Sequence, residues 1–472
     1  MRFLIRLTPR LLLICFLAPF ASAGGPLVVG AGPAAGTRPA FGIDGKPFTW
    51  NPAKMPIQYR IDPGPMAANT SGTTVIDHAS GVQRVQGMFG VWQSTPTASL
   101  SFSNAGNLLP AGAYTSGDLS SAQQFDAVIG SCRSGAQNPV IFDANGSLLK
   151  ALGLPPEVIG FNTGCALDAT NGYLTGSAIV MNGQFQDRVT TSSNLEMTVN
   201  EFDEAITHEI GHFTSLDHSQ INLDLLLELP AVCDEDRLAG MPLMFPFAFC
   251  QARKDAGLPV LSHDEVAWIS TLYPNASTPS NYGTISGTIF FADGISQAQG
   301  ANVIARLLDD PSTSEGESRR VAVSVVSGYL FTGNPGQSVT ASISADENNT
   351  DGDASGSRNT SLIGYYELSV PPGTYTIEVE SVFDAFVGGS GVGPLNPPAR
   401  LVGDPEFWNE NESAFDFPLQ RDPIIVHAGD NITGTDIILN YQFPRFDQYE
   451  DGGAFVDTPI LPPVSPEESM HA

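Results

Sequence analysis

Apolar residues along this chain of 472 residues recur in two rhythms, and the change from one to the other divides it. In the first half, alternation at a period of two gives way repeatedly to spacings of three and four. The run PIQYRID from Pro56 alternates apolar and polar side chains and predicts a strand. Across residues 74–93, Val75, Val82, Val85, Met88, Phe89 and Trp92 fall near helical spacing and predict an amphipathic helix. LSFSNAG follows as a second strand, and residues 139–185 hold the short apolar runs VIF and SAIVMN between Gly and Asn turns. A second helix is expected over Val199 to Thr214, with Phe202, Ala205, Ile206 and Ile210 on one face and Asn200 as N-cap. Glu201, Asp203 and Glu204 fall in its first turns, where the helix dipole favours acids. A last helix covers Asp264 to Tyr273 behind Ser262.

After Gly283 the helical spacing stops. GTISGTIFF, ANVIARLL, VAVSVV, YYELSV, TYTIEVE, IIVHA and TDIILN are strand-like runs separated by turn residues. The expected fold class is therefore an α+β domain followed by an all-β sandwich. The segment 346–360 is polar and Gly-rich and reads as a loop, and residues 442–472 form an acidic, Pro-rich tail. Residues 24–45, rich in Gly, Pro and Ala, read as an extended lead-in.

Charge and cysteine usage narrow the setting. Twenty-one Lys and Arg face 50 Asp and Glu, a net charge of −29, which excludes a general nucleic-acid binder because phosphate contacts need clustered cations. Residues 1–23 carry Arg2, Arg6 and Arg10, a short apolar stretch from Leu11 to Phe20, and Ala21-Ser22-Ala23, the pattern of a cleaved signal peptide. Ten apolar residues do not span a bilayer, and no other segment is long and apolar enough to do so, so an exported chain without a transmembrane anchor is expected. Cleavage would remove three Arg and no acid, moving the charge from −29 to −32. It would also remove Cys15, leaving Cys132, Cys165, Cys233 and Cys250, an even set for an oxidising compartment. Three pairings are possible; Cys132 with Cys165 and Cys233 with Cys250 close the shortest loops. A Cys-only metal site is disfavoured, since no C-x-x-C pair is present.

Three of the seven histidines lie within HEIGHFTSLDH, residues 208–218. His208 and His212, four apart, project from one helix face and can share a metal. His218 reaches the same ion only if the chain turns back after about Thr214. Three protein ligands leave a zinc position open for water, the arrangement a catalytic zinc needs. Glu209 points aside and is placed to take a proton from that water.

HEIGHFTSLDH resembles the H-E-x-x-H-x-x-G-x-x-H motif of the metzincin zinc peptidases. Pro242-Leu243-Met244-Phe245-Pro246 resembles their Met-turn, LSHDEVAWISTLYP resembles the closing helix of the matrixin branch and FGVWQSTPTASLSF its helix-then-strand opening, and Ser219 after the third His is the residue common in that branch. The resemblance covers residues 46–275. It implies a matrixin-like secreted zinc endopeptidase, with His208, His212 and His218 as ligands, Glu209 as general base, Met244 as a structural floor, and a protein or peptide substrate held along SAIVMN (177–182) as an edge strand. It also allows structural calcium, with Asp143 to Gly146 and Asp168 to Gly172 as oxygen-rich turns. Ser215 departs from the motif, standing where the family has the glycine that ends the helix. The insertion 222–240 before Met244 departs as well and predicts an extra helix. Phe247, Ala248 and Phe249 do not follow the family's usual pocket wall. Gly364-Tyr365-Tyr366 and Pro371-Pro372-Gly373-Thr374-Tyr375 resemble the signature of carboxypeptidase-regulatory-like sandwiches, accessory modules without a reaction. The expected division is signal 1–23, lead-in 24–45, peptidase 46–275, linker 276–282, sandwich 283–441 and tail 442–472. The alternative function is a non-catalytic surface-binding or adhesion protein with an inactive metal domain.

Overall fold

A computed structural model describes residues 24–33, 40–191, 194–219, 221, 233, 235–245, 248, 250–298, 300–308, 317–331, 356–357, 359–380 and 406–440. The expected signal peptide, the tail, Phe247, Phe249, residues 222–232 and 234 of the insertion and residues 346–355 and 358 of the expected loop lie outside the described residues. Two compact units partition the chain. Phe48–Leu216 and Asp224–Asn275 belong to one, and Phe20–Pro47, Asp217–Leu223 and Ala276–Ala472 to the other.

The first unit is mixed α/β. Its main sheet contains β1 (Thr49–Trp50), β2 (Ile57–Ile61), β5 (Phe102–Asn107), β6 (Pro139–Asp143), β7 (Gly160–Asp168) and β8 (Tyr173–Asn182). The order runs β1-β8-β6-β2-β5 with parallel neighbours, and β7 pairs antiparallel with β8. A small ribbon pairs β3 (Ala67–Ala68) with β4 (Thr74–Ile76). All five residues of β6 are buried, as expected of a parallel strand covered on both faces.

The same reasoning corrects the expected edge strand. Residues 177–182 lie inside the sheet: Ile179 to Asn182 pair with Val140 to Asp143 on one side, and Ser177 to Met181 pair with β7 on the other. Among the described residues β7 pairs only with β8 and β5 only with β2, so β7, unlike β8, has an open side.

Four longer helices flank the sheet: α1 (His78–Gln93), α2 (Ala122–Arg133), α4 (Val199–Phe213) and α6 (His263–Leu272); α3 (Ser147–Ala151) and α5 (Glu235–Gly240) are short. The helix expected over 74–93 begins at His78, because Asp77 caps it by accepting from Ser80 N and residues 74–76 are extended. α2 was not anticipated; it buries Phe125, Val128, Ile129 and Cys132 in a core with Ile141, Phe161 and Val180. Cys132–Cys165 and Cys233–Cys250 are both disulfide-bonded, the neighbour pairing. The part of the insertion that is described, α5, is helical. No helix among the described residues is long and apolar enough to cross a membrane.

The second unit is built from two larger sheets. One has the order β11-β10-β13-β14 with β15 also on β13, from β10 (Asn302–Leu307), β11 (Ala322–Val326), β13 (Gly373–Glu380), β14 (Glu406–Phe407) and β15 (Ile424–Val426). The other joins β12 (Tyr365–Val370), β9 (Gly283–Phe290), β16 (Asn431–Thr433) and β17 (Ile437–Ile438) around β9. Every apolar run read as a strand is one. β14 and β16 were missed, being two or three residues long and without an apolar run. The lead-in is buried from Gly24 to Leu27 and doubles back through antiparallel bridges Val29 to Pro47 and Ala31 to Phe41, rather than running extended throughout.

Candidate metal centre

α4 carries two of the three histidines, and its sequence fixes both ends. At the start, Thr198 is the N-cap: its side chain accepts from Glu201 N, and Glu201 reaches back to Thr198 N, a full capping box. Asn200, the expected cap, sits inside the helix and donates instead to the carboxylate of Asp255. Arg84 on α1 ties this end down through Asp203 at 2.6 Å and the carbonyl of Val199 at 3.0 Å. The apolar residues Phe202, Ala205, Ile206 and Ile210 are all buried.

At the other end the helix stops in a Schellman turn. Leu216 N donates to Gly211 O at 3.0 Å and Ser215 N to His212 O at 2.9 Å. Ser215 takes the left-handed conformation usually given to glycine, φ 74°. It keeps the turn and accepts the strain. A left-handed non-glycine residue costs about 1–2 kcal/mol, and its buried Oγ has no hydrogen-bond partner. Ser215→Gly removes both costs and adds back some unfolded-state entropy. The expected result is a gain of about 1 kcal/mol in urea unfolding with an unchanged slope; a loss would mean that the hydroxyl has a structural role.

Three aromatic donors hold the carbonyls of this helix. Trp92 Nε1 donates to Thr207 O at 2.8 Å, Trp50 Nε1 to Phe213 O at 2.7 Å and the Tyr273 hydroxyl to Thr214 O at 2.8 Å. Helical spacing marks Trp92 as part of an amphipathic helix but singles out neither Trp50 nor Tyr273. Their polar tips were the available signal, since buried Trp and Tyr seek acceptors.

The turn brings the chain back to His218. His208, His212 and His218 each offer one ligand atom, and these atoms lie within 4.8 Å of one another. Among the described residues no other set of His, Cys, Asp and Glu forms such a group. All three rings are buried. His208 Nδ1 lies 2.9 Å from Leu243 O, and His212 Nδ1 lies 2.9 Å from Leu216 O. A carbonyl only accepts, so both Nδ1 atoms carry the proton and both Nε2 atoms keep a lone pair for a metal. Burial lowers the pKa of His208 to about 3, helped by His212, and that of His212 to about 4, so both rings are neutral, as ligation demands. The segment bearing His218 is fixed by its own backbone: Asp217 N donates to Gly25 O at 3.0 Å, and His218 O accepts from Gly24 N.

Glu209 is buried beside these ligands. Burial pushes its carboxyl well above the usual range, and its Oε2 has no hydrogen-bond partner. A buried carboxylate without partners is costly, and a nearby cation would offset that cost. The residues present therefore fit a single divalent metal.

Met244 lies under the helix. A Cβ added to Gly211 would come 2.3 Å from Met244 Sδ and 3.0 Å from Trp92 Cζ2, so the sulfur occupies the space that the glycine leaves. The turn carrying Met244 is bonded to α6, where Met244 N donates to Glu265 Oε1 at 2.9 Å. The two candidate calcium turns are Asx-type turns. Asp143 accepts from Leu149 N, Asn145 from Ser147 N, and Asp168 from Thr170 N and Asn171 N. The chain matches no protein-family model, no curated protein and no solved structure.

Proposed function

We propose that this protein is a secreted zinc endopeptidase of matrixin-like type. The observation that carries the reading is the buried triad His208, His212 and His218, proton-locked at two Nδ1 atoms, with Glu209 beside it. Nε2 of His208, Nε2 of His212 and one ring nitrogen of His218 would hold zinc, because neutral imidazoles suit it and three protein ligands leave it a vacant position. Bound there, zinc supplies Lewis acidity that polarises a peptide carbonyl and lowers the pKa of water.

The chain's own groups do the rest. Glu209 takes the proton of the attacking water and returns it to the leaving nitrogen, so one carboxylate serves as base and then as acid. Its burial keeps bulk water from competing for that proton. The open side of β7 offers backbone donors and acceptors to an extended peptide, and α4 packs against β7 and β8. This takes over the role that the sequence assigned to 177–182. Two disulfides suit an extracellular site of action.

Elemental analysis of the purified full chain tests the site. About one zinc per chain is expected in the wild type, and a sharp loss in each of His208→Ala, His212→Ala and His218→Ala. A metal-free wild type, or retention in all three variants, would leave the non-catalytic binding reading in its place.

A further inference from the structure

We propose that Glu265 is a positioning residue for the metal site, acting on His208 through the peptide group between Leu243 and Met244. The inference rests on the metal reading above and concerns one imidazole of that site.

The geometry is a three-part chain. Glu265 Oε1 accepts from Met244 N at 2.9 Å. On the other side of the same peptide group, Leu243 O accepts from His208 Nδ1 at 2.9 Å. Carboxylate, amide and imidazole are therefore in series. Glu265 is 1% exposed, so solvent does not screen the first bond. A carboxylate on the N–H draws electron density toward the carbonyl oxygen and makes it a stronger acceptor. A stronger acceptor holds the Nδ1 proton, fixes the tautomer and makes Nε2 a better donor to a cation.

Glu265 has a second, separable task. Its Oε2 accepts from Ser262 N at 2.6 Å, completing the capping box of α6. That cap needs only Oε2. The bond from Oε1 leaves the helix and reaches the Met244 turn. Arg253 supports the arrangement. Its guanidinium, also buried, attracts Glu265 and donates to Leu238 O at 2.8 Å, on the stretch leading into that turn.

Two variants separate the tasks. Glu265→Gln removes the charge from the relay, while Ser262→Ala damages the same helix cap without touching the Met244 turn. Zinc affinity of the full-length protein is read by competition with a chromophoric chelator. Glu265→Gln should bind zinc about tenfold more weakly, and Ser262→Ala should bind like wild type even where its melting temperature falls. A second readout needs no metal. In the chelated protein the His208 Nδ1 proton resonance should move upfield in Glu265→Gln and stay in place in Ser262→Ala. If Glu265→Gln does not fold, Glu265→Asp keeps the charge but shortens its reach, and a smaller weakening of the same sign is expected. Wild-type affinity in the Glu265 variants, or equal weakening in Ser262→Ala, overturns the relay while leaving the metal site standing. Failure of wild type itself to bind zinc overturns the metal reading and the relay with it.

Discussion

Glu209→Gln is expected to give a folded protein that retains its metal but cleaves peptides roughly 10²–10⁴-fold more slowly. The loss follows from removing the carboxylate proposed to take the proton of the attacking water. Stability should move the other way or not at all. The carboxyl of Glu209 is buried, pushed well above its usual pKa, and leaves Oε2 without a partner. The fold gains nothing from that placement, so a neutral amide of the same shape should be tolerated. Steady-state cleavage beside urea unfolding checks both halves. A loss of more than about 1 kcal/mol would make Glu209 a structural residue, and wild-type cleavage would remove it from the mechanism.

Gly211→Ala tests how tightly the floor fits the helix. In an exposed helix this change is stabilising by about 0.5–1 kcal/mol. Here the new methyl would sit 2.3 Å from Met244 Sδ and 2.9 Å from its Cε, with Trp92 at 3.0 Å. Met244 and Trp92 are both buried, so something must give. Overpacking of this kind costs about 1–3 kcal/mol. It also shifts the turn whose Leu243 carbonyl orients His208, so zinc affinity should fall with stability. In a Met244→Ala background the added methyl has room, and Gly211→Ala should then cost little. That coupling, measured as a double-mutant cycle in urea, places the effect at this contact. Additive costs would mean that glycine is needed at 211 for another reason.

The residues that carry the proposed chemistry were legible because their spacing is local. His208 and His212 follow from helical geometry alone, and the need for a reversal after Thr214 follows from the position of His218. Ser215 shows the limit of a motif. Its φ of 74° keeps the turn without the glycine, and a sequence can flag the strain but not whether the chain accepts it. Two errors came from signals that were present. Thr198 and Glu201, three apart, spell a capping box, a stronger signal than the lone Asn200. The unbroken apolar run Ala178 to Met181 argues for a strand covered on both sides rather than an edge.

Other features could not be paired with their partners from the sequence. The bonds from Trp50, Tyr273 and Glu265 to the helix and its floor join segments far apart in sequence, and no local pattern encodes them. The strands of the second unit were readable from alternation, except β14 and β16, which are too short to show a period.

The proposed function requires one cation shared by His208, His212 and His218 and the hydrolysis it would permit. Its most direct test is cleavage of an unfolded polypeptide by the full-length protein, followed before chelation, after chelation and after zinc is restored. The account predicts cleavage, its loss, and its return with zinc in wild type, and no return in His218→Ala. Cleavage that persists through chelation, or none at any stage from a zinc-loaded wild type, would contradict it.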